Sequence, residues 1–263
     1  MDRPARVAVC QLDTRMGRVD ENVALALRVA ERAVAAGAEY ILFHENMVHE
    51  YPPNAAELAE PVPGPVTERF AAFCARHQVC IGFGMTTRGQ PRPYNAAVFV
   101  NSRGEIAATY AKRSLVNRAG YETYMAKLEG WAVCMAGNER LLEDEVFQPG
   151  KEHLVFDWDG IRAGVLICAD TGRDDYWAAI RERGAKVIFC PFNNPGIRLY
   201  HPRLLDQVRE FGAYFVGANR AGSYPMGLPG RGQSLIADPH GKVLADCGGA
   251  VNSFAVADLL MEE

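Results

Sequence analysis

The chain lacks the features by which several classes of protein are recognised. None of its apolar stretches reaches the roughly 20 residues that cross a bilayer, and Met1-Asp2-Arg3-Pro4 at the amino terminus is unlike an apolar signal region. The net charge is only −4, which provides no electrostatic attraction to nucleic acid or anionic lipid. We therefore expect a cytoplasmic protein that acts on a small molecule, with no nucleic-acid partner and no membrane partner.

Cofactor motifs are also missing. The seven cysteines are scattered, with no Cys-x-x-Cys pair and no Cys/His cluster at the spacing of zinc ligands. No Gly-x-Gly-x-x-Gly turn joins the first predicted strand to the first predicted helix, which argues against a dinucleotide site. We expect neither a metal nor an organic cofactor, and no disulfide framework.

Strand-like apolar runs alternate with segments of helical spacing along most of the chain. The spacing predicts a strand over 6–12, a helix over 20–37 and a second strand over 40–43. The later part adds further alternating strands and helices and three short closing strands. This pattern favours an α/β fold of two sheets, each covered on one side by helices. No repeat or linker interrupts it, so residues 1–263 are expected to form a single domain.

Three residues with reactive side chains each follow a predicted strand. Cys168 ends the apolar run 164–167, while Glu45 and Lys112 come at the ends of two other strands. A thiol, a carboxylate and an ammonium group supply a nucleophile, a general base and an oxyanion partner without any histidine. A strand-end charge taken alone is more often a solvated surface group, so this interpretation requires the three strand ends to converge.

Seven segments together resemble, in order and spacing, the nitrilase superfamily of carbon–nitrogen hydrolases. In sequence order they are Ala8-Val9-Cys10-Gln11-Leu12, Ile41-Leu42-Phe43-His44-Glu45, Tyr110-Ala111-Lys112-Arg113-Ser114-Leu115, Phe147-Gln148-Pro149-Gly150, 164–170, Ala218-Asn219-Arg220-Ala221-Gly222 and 232–241. The resemblance implies a four-layer α-β-β-α sandwich of the nitrilase type, whose subunits pair into a homodimer or higher homo-oligomer. It also implies a catalytic set of Glu45, Lys112 and Cys168. A second glutamate is implied shortly before the Phe-x-Pro-Gly segment, either Glu143, which the family's usual spacing selects, or Glu145.

The same resemblance indicates the reaction. Cys168 would attack the substrate to form a thioacyl intermediate, with Glu45 as general base and with Lys112 and the backbone N–H of Ala169 holding the oxyanion. The pair Ala169-Asp170 after the cysteine is more similar to the amidase and N-carbamoyl hydrolase branches, so a small amide or carbamoyl compound is the expected substrate. Nitrile hydrolysis by the same residues, a catalytically silent binding relative and a thiol redox sensor are the alternatives. A glutaminase half of a synthetase would need a further domain.

Candidate substrate-binding residues are Ala169, Arg173, Asn193 and Tyr121. Arg173 is displaced by one position from the arginine of many relatives, and Arg198 and His201 are alternative partners for a substrate carboxylate. The family usually has proline where this chain has His44, which we interpret as a packing residue. The interval between Lys112 and Glu143 is longer than usual, so Tyr121 and its aromatic neighbours are expected to reshape the pocket entrance.

Overall fold

A computed structural model describes residues 4–117, 142–194, 202–223 and 229–261. The helices of these ranges are α1 (Val19–Ala35), α2 (Ala55–Leu58), α3 (Pro65–His77), α4 (Glu143–Val146), α5 (Asp174–Glu182) and α6 (Pro202–Phe211), with a 3-10 helix over Cys168–Gly172. Among these described helices, none combines the length and the apolar character that a bilayer crossing requires.

Two six-stranded sheets form the centre of the fold. The first has the order β14-β1-β2-β3-β4-β5 and the second the order β13-β12-β9-β8-β7-β6. The strands are β1 (Ala5–Gln11), β2 (Tyr40–Leu42), β3 (Cys80–Thr87), β4 (Tyr94–Val100), β5 (Ile106–Ala111), β6 (Leu154–Trp158), β7 (Ile161–Val165), β8 (Val187–Pro191), β9 (Tyr214–Ala218), β12 (Leu235–Ala237), β13 (Val243–Asp246) and β14 (Ser253–Leu259). A small hairpin of β10 (Ala221–Ser223) and β11 (Pro229–Arg231) lies outside them.

Alternation along the strands produces three hydrophobic layers. In β1, Val7 and Val9 join the cluster between the two sheets, whereas Ala8 and Cys10 join the cluster under α1 and α3. This follows from the period of two in a strand, which sends successive side chains to opposite faces. A third cluster packs α5 and α6 on the outer face of the second sheet. The result is the predicted four-layer α-β-β-α sandwich, and the expected fold class is confirmed.

The parallel strands explain where functional residues collect. β1 pairs in parallel with β2, and β8 pairs in parallel with both β7 and β9. Ligand sites in α/β folds form at the carboxyl ends of such strands. The segments after β1, β2, β7, β8 and β9 meet at one rim, where they bring Glu45 and Cys168 to the same edge of the sandwich.

Candidate active site

The loop that carries Glu45 is held tightly between the two sheets. Glu45 lies three residues beyond β2, and its N–H donates to the carbonyl of Phe192 after β8 at 3.2 Å. Gly84 of β3 lies directly under this loop. A Cβ at Gly84 would come within 2.6 Å of the His44 carbonyl oxygen and 2.8 Å of the Glu45 carbonyl carbon. Only glycine therefore lets the loop approach β3 so closely.

Lys112 lies between two buried carboxylates. It follows β5 directly, and its Nζ is 2.7 Å from Glu45 Oε1 and 2.8 and 2.7 Å from the two oxygens of Glu143. The side chains of these residues are only 1–3 % exposed. The structure thus brings together two of the strand-end residues singled out in the sequence, and adds Glu143 from α4.

Asn95 joins the two carboxylates from the other side. Its Nδ2 donates to Glu45 Oε1 at 2.8 Å and to Glu143 Oε1 at 3.1 Å, and it also lies 3.1 Å from the hydroxyl of Tyr51. The backbone N–H of Val116 donates to Glu143 Oε2 at 2.9 Å. Each oxygen of Glu143 therefore has a hydrogen-bond donor besides Lys112, which fixes this carboxylate even when the ammonium moves.

Cys168 is the first residue of the 3-10 helix and has a left-handed backbone, with φ of 46°. Such a conformation is unfavourable for a residue with a side chain and persists where the surroundings enforce it. Asp170 provides that constraint. Its carboxylate accepts from the N–H groups of Ile167 at 3.0 Å and Ser114 at 2.7 Å, and from the hydroxyl of Tyr110 at 2.9 Å. The turn that presents the sulfur is thereby tied to the segment just after Lys112.

The sulfur of Cys168 meets the turn that follows β8. The thiol lies 3.1 Å from Asn194 Oδ1, and the backbone N–H of Asn193 also interacts with the sulfur. Burial raises the pKa of the Cys168 thiol well above its ordinary value, and the negative charge of Glu45 adds to this, while Lys112 opposes it. At neutral pH the resting nucleophile is therefore a thiol, and attack requires a base.

The other groups of the site have defined protonation states. Burial lowers the pKa of Lys112, but the charges of Glu143 and Glu45 outweigh it, so the pKa lies well above its ordinary value and the ammonium persists. Burial raises the pKa of Glu143, partly offset by Lys112. Burial and the nearby charges of Glu45 and Glu143 raise the pKa of Tyr51 well above its ordinary value, so its phenol stays protonated.

Glu45 keeps one oxygen available. Its Oε1 accepts from Lys112 and Asn95, whereas its Oε2 is buried and meets no hydrogen-bond donor within the part of the chain that the structure describes. A buried carboxylate oxygen without a donor is suited to accept a proton from a neighbouring group.

The predicted substrate-binding residues have different surroundings. Ala169 lies at the start of the 3-10 helix, where an N–H has no partner inside the helix. The amide of Asn193 is bonded to Glu45 O at 3.1 Å and Glu50 Oε2 at 3.2 Å, so only its backbone N–H reaches the sulfur. Arg173 is 55 % exposed and paired with Asp175 at 3.0 Å, which places it among solvated groups.

Three of the candidates fall outside the described residues, and the sequence did not single out several side chains of the site. Tyr121, Arg198 and His201 lie outside the described residues. Asn95 was missed because an asparagine at the start of a strand has the signature of a turn residue. Asn194, Tyr51 and Asp170 were not assigned roles, although Asp170 lies two residues after the cysteine within the motif. In the described ranges, no group of three or more His, Cys, Asp or Glu side chains is arranged to hold a metal ion.

Comparisons with known proteins agree with this architecture. The sequence model of the carbon–nitrogen hydrolase family matches residues 6–262. The chain is 26 % identical over 247 residues to an (R)-stereoselective amidase from a Pseudomonas species, covering 92 % of this chain and 81 % of that protein. It is 28 % identical over 269 residues to a glutamine-dependent NAD(+) synthetase from Xylella fastidiosa, covering 98 % of this chain but only 45 % of that protein. The chain thus spans less than half the length of that relative.

Among solved structures, a cysteine-to-alanine variant of an amidase of the nitrilase superfamily from Nesterenkonia AN1 superimposes with a TM-score of 0.80. That match covers 98 % of this chain and 92 % of the other at 22 % sequence identity, and so bears on the fold. The fold is thus that of the nitrilase superfamily. The chain belongs to the carbon–nitrogen hydrolase family of enzymes, as the sequence motifs predicted.

Proposed function

We propose that the protein hydrolyses a non-peptide C–N bond of a small amide or N-carbamoyl compound through a thioacyl intermediate on Cys168. The observation that carries this proposal is the buried ammonium of Lys112, 2.7 Å from Glu45 and 2.7 Å from Glu143, in a group of charges that acts on the pKa of the Cys168 thiol. A carboxylate, an ammonium group and a thiol enclosed together match the needs of acyl transfer.

The first chemical step is attack by sulfur on the carbonyl carbon. Because the Cys168 pKa lies well above its ordinary value, Glu45 takes the thiol proton as the C–S bond forms. The carbonyl π electrons move to oxygen, and the tetrahedral oxyanion accepts from Lys112 Nζ and the backbone N–H of Ala169. Glu45 then returns the proton to the leaving nitrogen as the C–N bond breaks, releasing ammonia or an amine.

The second step is hydrolysis of the thioester. Glu45 removes a proton from water as the water oxygen attacks the acyl carbon, and the tetrahedral intermediate collapses with cleavage of the C–S bond. Glu45 gives the proton to the departing sulfur, so the acid is released and Cys168 is again a thiol. Lys112 can turn one N–H toward the oxyanion because Asn95 and Val116 still donate to Glu143. Glu143 thus acts by holding the ammonium in place through both half-reactions.

The test is ammonia release from a panel of aliphatic amides, glutamine, N-carbamoyl amino acids and nitriles. We expect turnover of at least one amide or carbamoyl compound and its loss in Cys168→Ala. Cys247→Ala is the matched control, since this cysteine is also only partly buried but its Sγ contacts the carbonyl of Val9 at 3.5 Å, away from the glutamates. Turnover of nitriles alone would show that the reaction is nitrile hydrolysis instead of amide hydrolysis. If no compound releases ammonia, the result would favour a binding protein without catalytic activity.

We further propose that residues 1–263 act as one carbon–nitrogen hydrolase domain, supported by the family match over 6–262. From the sequence resemblance we also infer a homodimer or higher homo-oligomer, and we propose a cytoplasmic location. Light scattering after gel filtration tests the assembly, because a monomer at micromolar concentration would contradict it, and cell fractionation tests the compartment.

A further inference from the structure

A second buried polar cluster lies behind the candidate active site. It contains Thr14, His44, Glu50, Asn193 and Arg220, all at most 8 % exposed. These residues come from the segments after β1, β2, β8 and β9, so the cluster joins four strand ends of the two sheets. None of them is part of the catalytic set described above.

Glu50 is the centre of this cluster. Its Oε1 accepts from His44 Nε2 at 2.8 Å and from the Thr14 hydroxyl, and its Oε2 accepts from Asn193 Nδ2 at 3.2 Å. Arg220 Nε lies 3.2 Å from the same Oε2. Each oxygen of the Glu50 carboxylate thus has two polar partners, which offset the cost of burying its charge.

The protonation states agree with this geometry. Burial raises the pKa of Glu50, but the charge of Arg220 and the hydrogen bonds from His44 and Thr14 outweigh it, so the pKa lies below its ordinary value. Burial lowers the pKa of His44, although the hydrogen bond to Glu50 and the charge of Glu50 oppose this shift. Glu50 is therefore a carboxylate, and His44 is a neutral imidazole that donates from Nε2. His44 is thus a hydrogen-bonding residue rather than the packing residue that the sequence indicated.

The backbone at Glu50 also points to a specific role for its side chain. Glu50 has φ of 55° and the next residue, Tyr51, has φ of 53°, both in the left-handed region. Glycine is the residue that adopts this region without steric cost. A buried glutamate there combines backbone strain with desolvation of a charge, and the four contacts of its carboxylate offset both.

Asn193 connects the cluster to the reacting atoms. Its amide donates to the Glu45 carbonyl at 3.1 Å and to Glu50, while its backbone N–H interacts with the sulfur of Cys168. The next residue, Asn194, accepts from the Cys168 thiol at 3.1 Å. A displacement of the Asn193 amide would therefore move the loop of the general base and the partners of the nucleophile together.

We propose that Glu50 is a positioning residue, which holds the Asn193 amide and thereby fixes the Glu45 loop against the turn that contacts Cys168. The proposal rests on the proposed function for its kinetic readout only. Alkylation of Cys168 provides a second readout that requires no amide turnover.

The experiment is a double-mutant cycle of Glu50→Gln and Asn193→Ala, with kcat and KM for the best amide substrate corrected for the fraction of alkylatable Cys168. Glutamine has nearly the same shape as glutamate, but one of the two acceptor oxygens is replaced by an NH₂ group. That group would face hydrogen-bond donors of the cluster. We expect each single variant to lower kcat by about 10- to 100-fold with KM nearly unchanged, because misplaced reacting groups affect the chemical step. The kcat of the double variant should lie within about threefold of the kcat of Asn193→Ala.

The matched control is Asp13→Asn. Asp13 Oδ1 lies 3.4 Å from Arg220 Nη2, whereas Glu50 approaches Arg220 Nε, and Asp13 is 37 % exposed. Its substitution therefore removes a charge near the cluster without removing a contact of Asn193. We expect wild-type kcat for this variant. Full kcat in Glu50→Gln, or multiplicative losses in the double variant, would overturn the proposal.

Alkylation by iodoacetamide separates this proposal from the proposed function. The midpoint of the pH–rate profile for Cys168 should move to higher pH in Glu50→Gln and Asn193→Ala, because the N–H that favours the thiolate loses its fixed position. If the wild-type protein hydrolyses no amide but the shift is present, the function fails and the positioning role stands. An unshifted midpoint overturns the positioning role. Should Glu50→Gln not fold, Thr14→Val, which removes one donor to Glu50, takes its place in both measurements.

Discussion

Replacing Lys112 by methionine should destabilise the protein in a pH-dependent way. The ammonium is the shared counter-charge of Glu45 and Glu143, at 2.7 Å from each, and all three side chains are at most 3 % exposed. Removing one partner of a buried ion pair costs about 3–5 kcal/mol, because a charge stays buried without compensation. The unfolding equilibrium constant should therefore rise by a factor of about 10² to 5 × 10³ at neutral pH.

The sign of the pH dependence follows from linkage. Burial already raises the pKa of Glu143 and Lys112 opposes it, so the variant raises that pKa further. The folded variant then binds a proton that the unfolded chain does not, and its stability falls as pH rises through this range. We expect the difference between wild type and Lys112→Met to shrink from about pH 7.5 to about pH 5.5.

Urea unfolding followed by tryptophan fluorescence measures both quantities. Lys186→Met is the matched control, since Lys186 is an exposed lysine beside β8, and it should leave the free energy of unfolding close to that of the wild type at both pH values. A loss below about 1 kcal/mol for Lys112→Met, or a loss that is the same at both pH values, would refute the account of the buried charges.

Other perturbations test separate parts of the site. Gly84→Ala should destabilise the fold by about 1–3 kcal/mol and lower kcat, since its Cβ would come within 2.6 Å of the His44 carbonyl oxygen; unfolding and kinetics of the variant show whether the Glu45 loop tolerates it. Asp170→Asn should lower kcat more than it changes KM, because the turn at Cys168 loses an acceptor for the Ile167 and Ser114 N–H groups; an equal rise in KM would contradict this. The absorbance of a thiolate at about 240 nm should be absent for Cys168 at neutral pH and appear only above the ordinary thiol range, since burial raises that pKa; a signal at neutral pH that Cys168→Ala removes would contradict a resting thiol.

The sequence predicted elements and site residues best where the periodic spacing of apolar side chains and the ends of strands determine their positions. The predicted strand over 6–12 is observed at Ala5–Gln11, and the helix predicted over 20–37 is observed at Val19–Ala35. The sites of Glu45 and Lys112 follow from the strands that precede them. The predicted strand that carries Cys168 ends earlier, at Val165, because the chain turns into a 3-10 helix that Asp170 stabilises.

The contacts that join distant segments were not predictable in the same way. Asn95 lies 50 residues from Glu45 and Arg220 lies 206 residues from Thr14, and no local pattern pairs them. A residue such as Glu50 looks like a surface residue in a sequence, since a buried carboxylate is uncommon and requires partners that only the folded chain supplies. Arg173 is exposed and forms an ion pair with Asp175, and its role in substrate binding stays a prediction.

The most direct test of the hydrolase proposal is acid-quenched mass spectrometry of the protein during turnover of an amide that releases ammonia. The proposal predicts an acyl mass on the peptide that contains Cys168, and conversion of that acyl group to a hydroxamate when hydroxylamine is present. Both signals should be missing in Cys168→Ala. Release of ammonia with neither an adduct on Cys168 nor a hydroxamate product would contradict it.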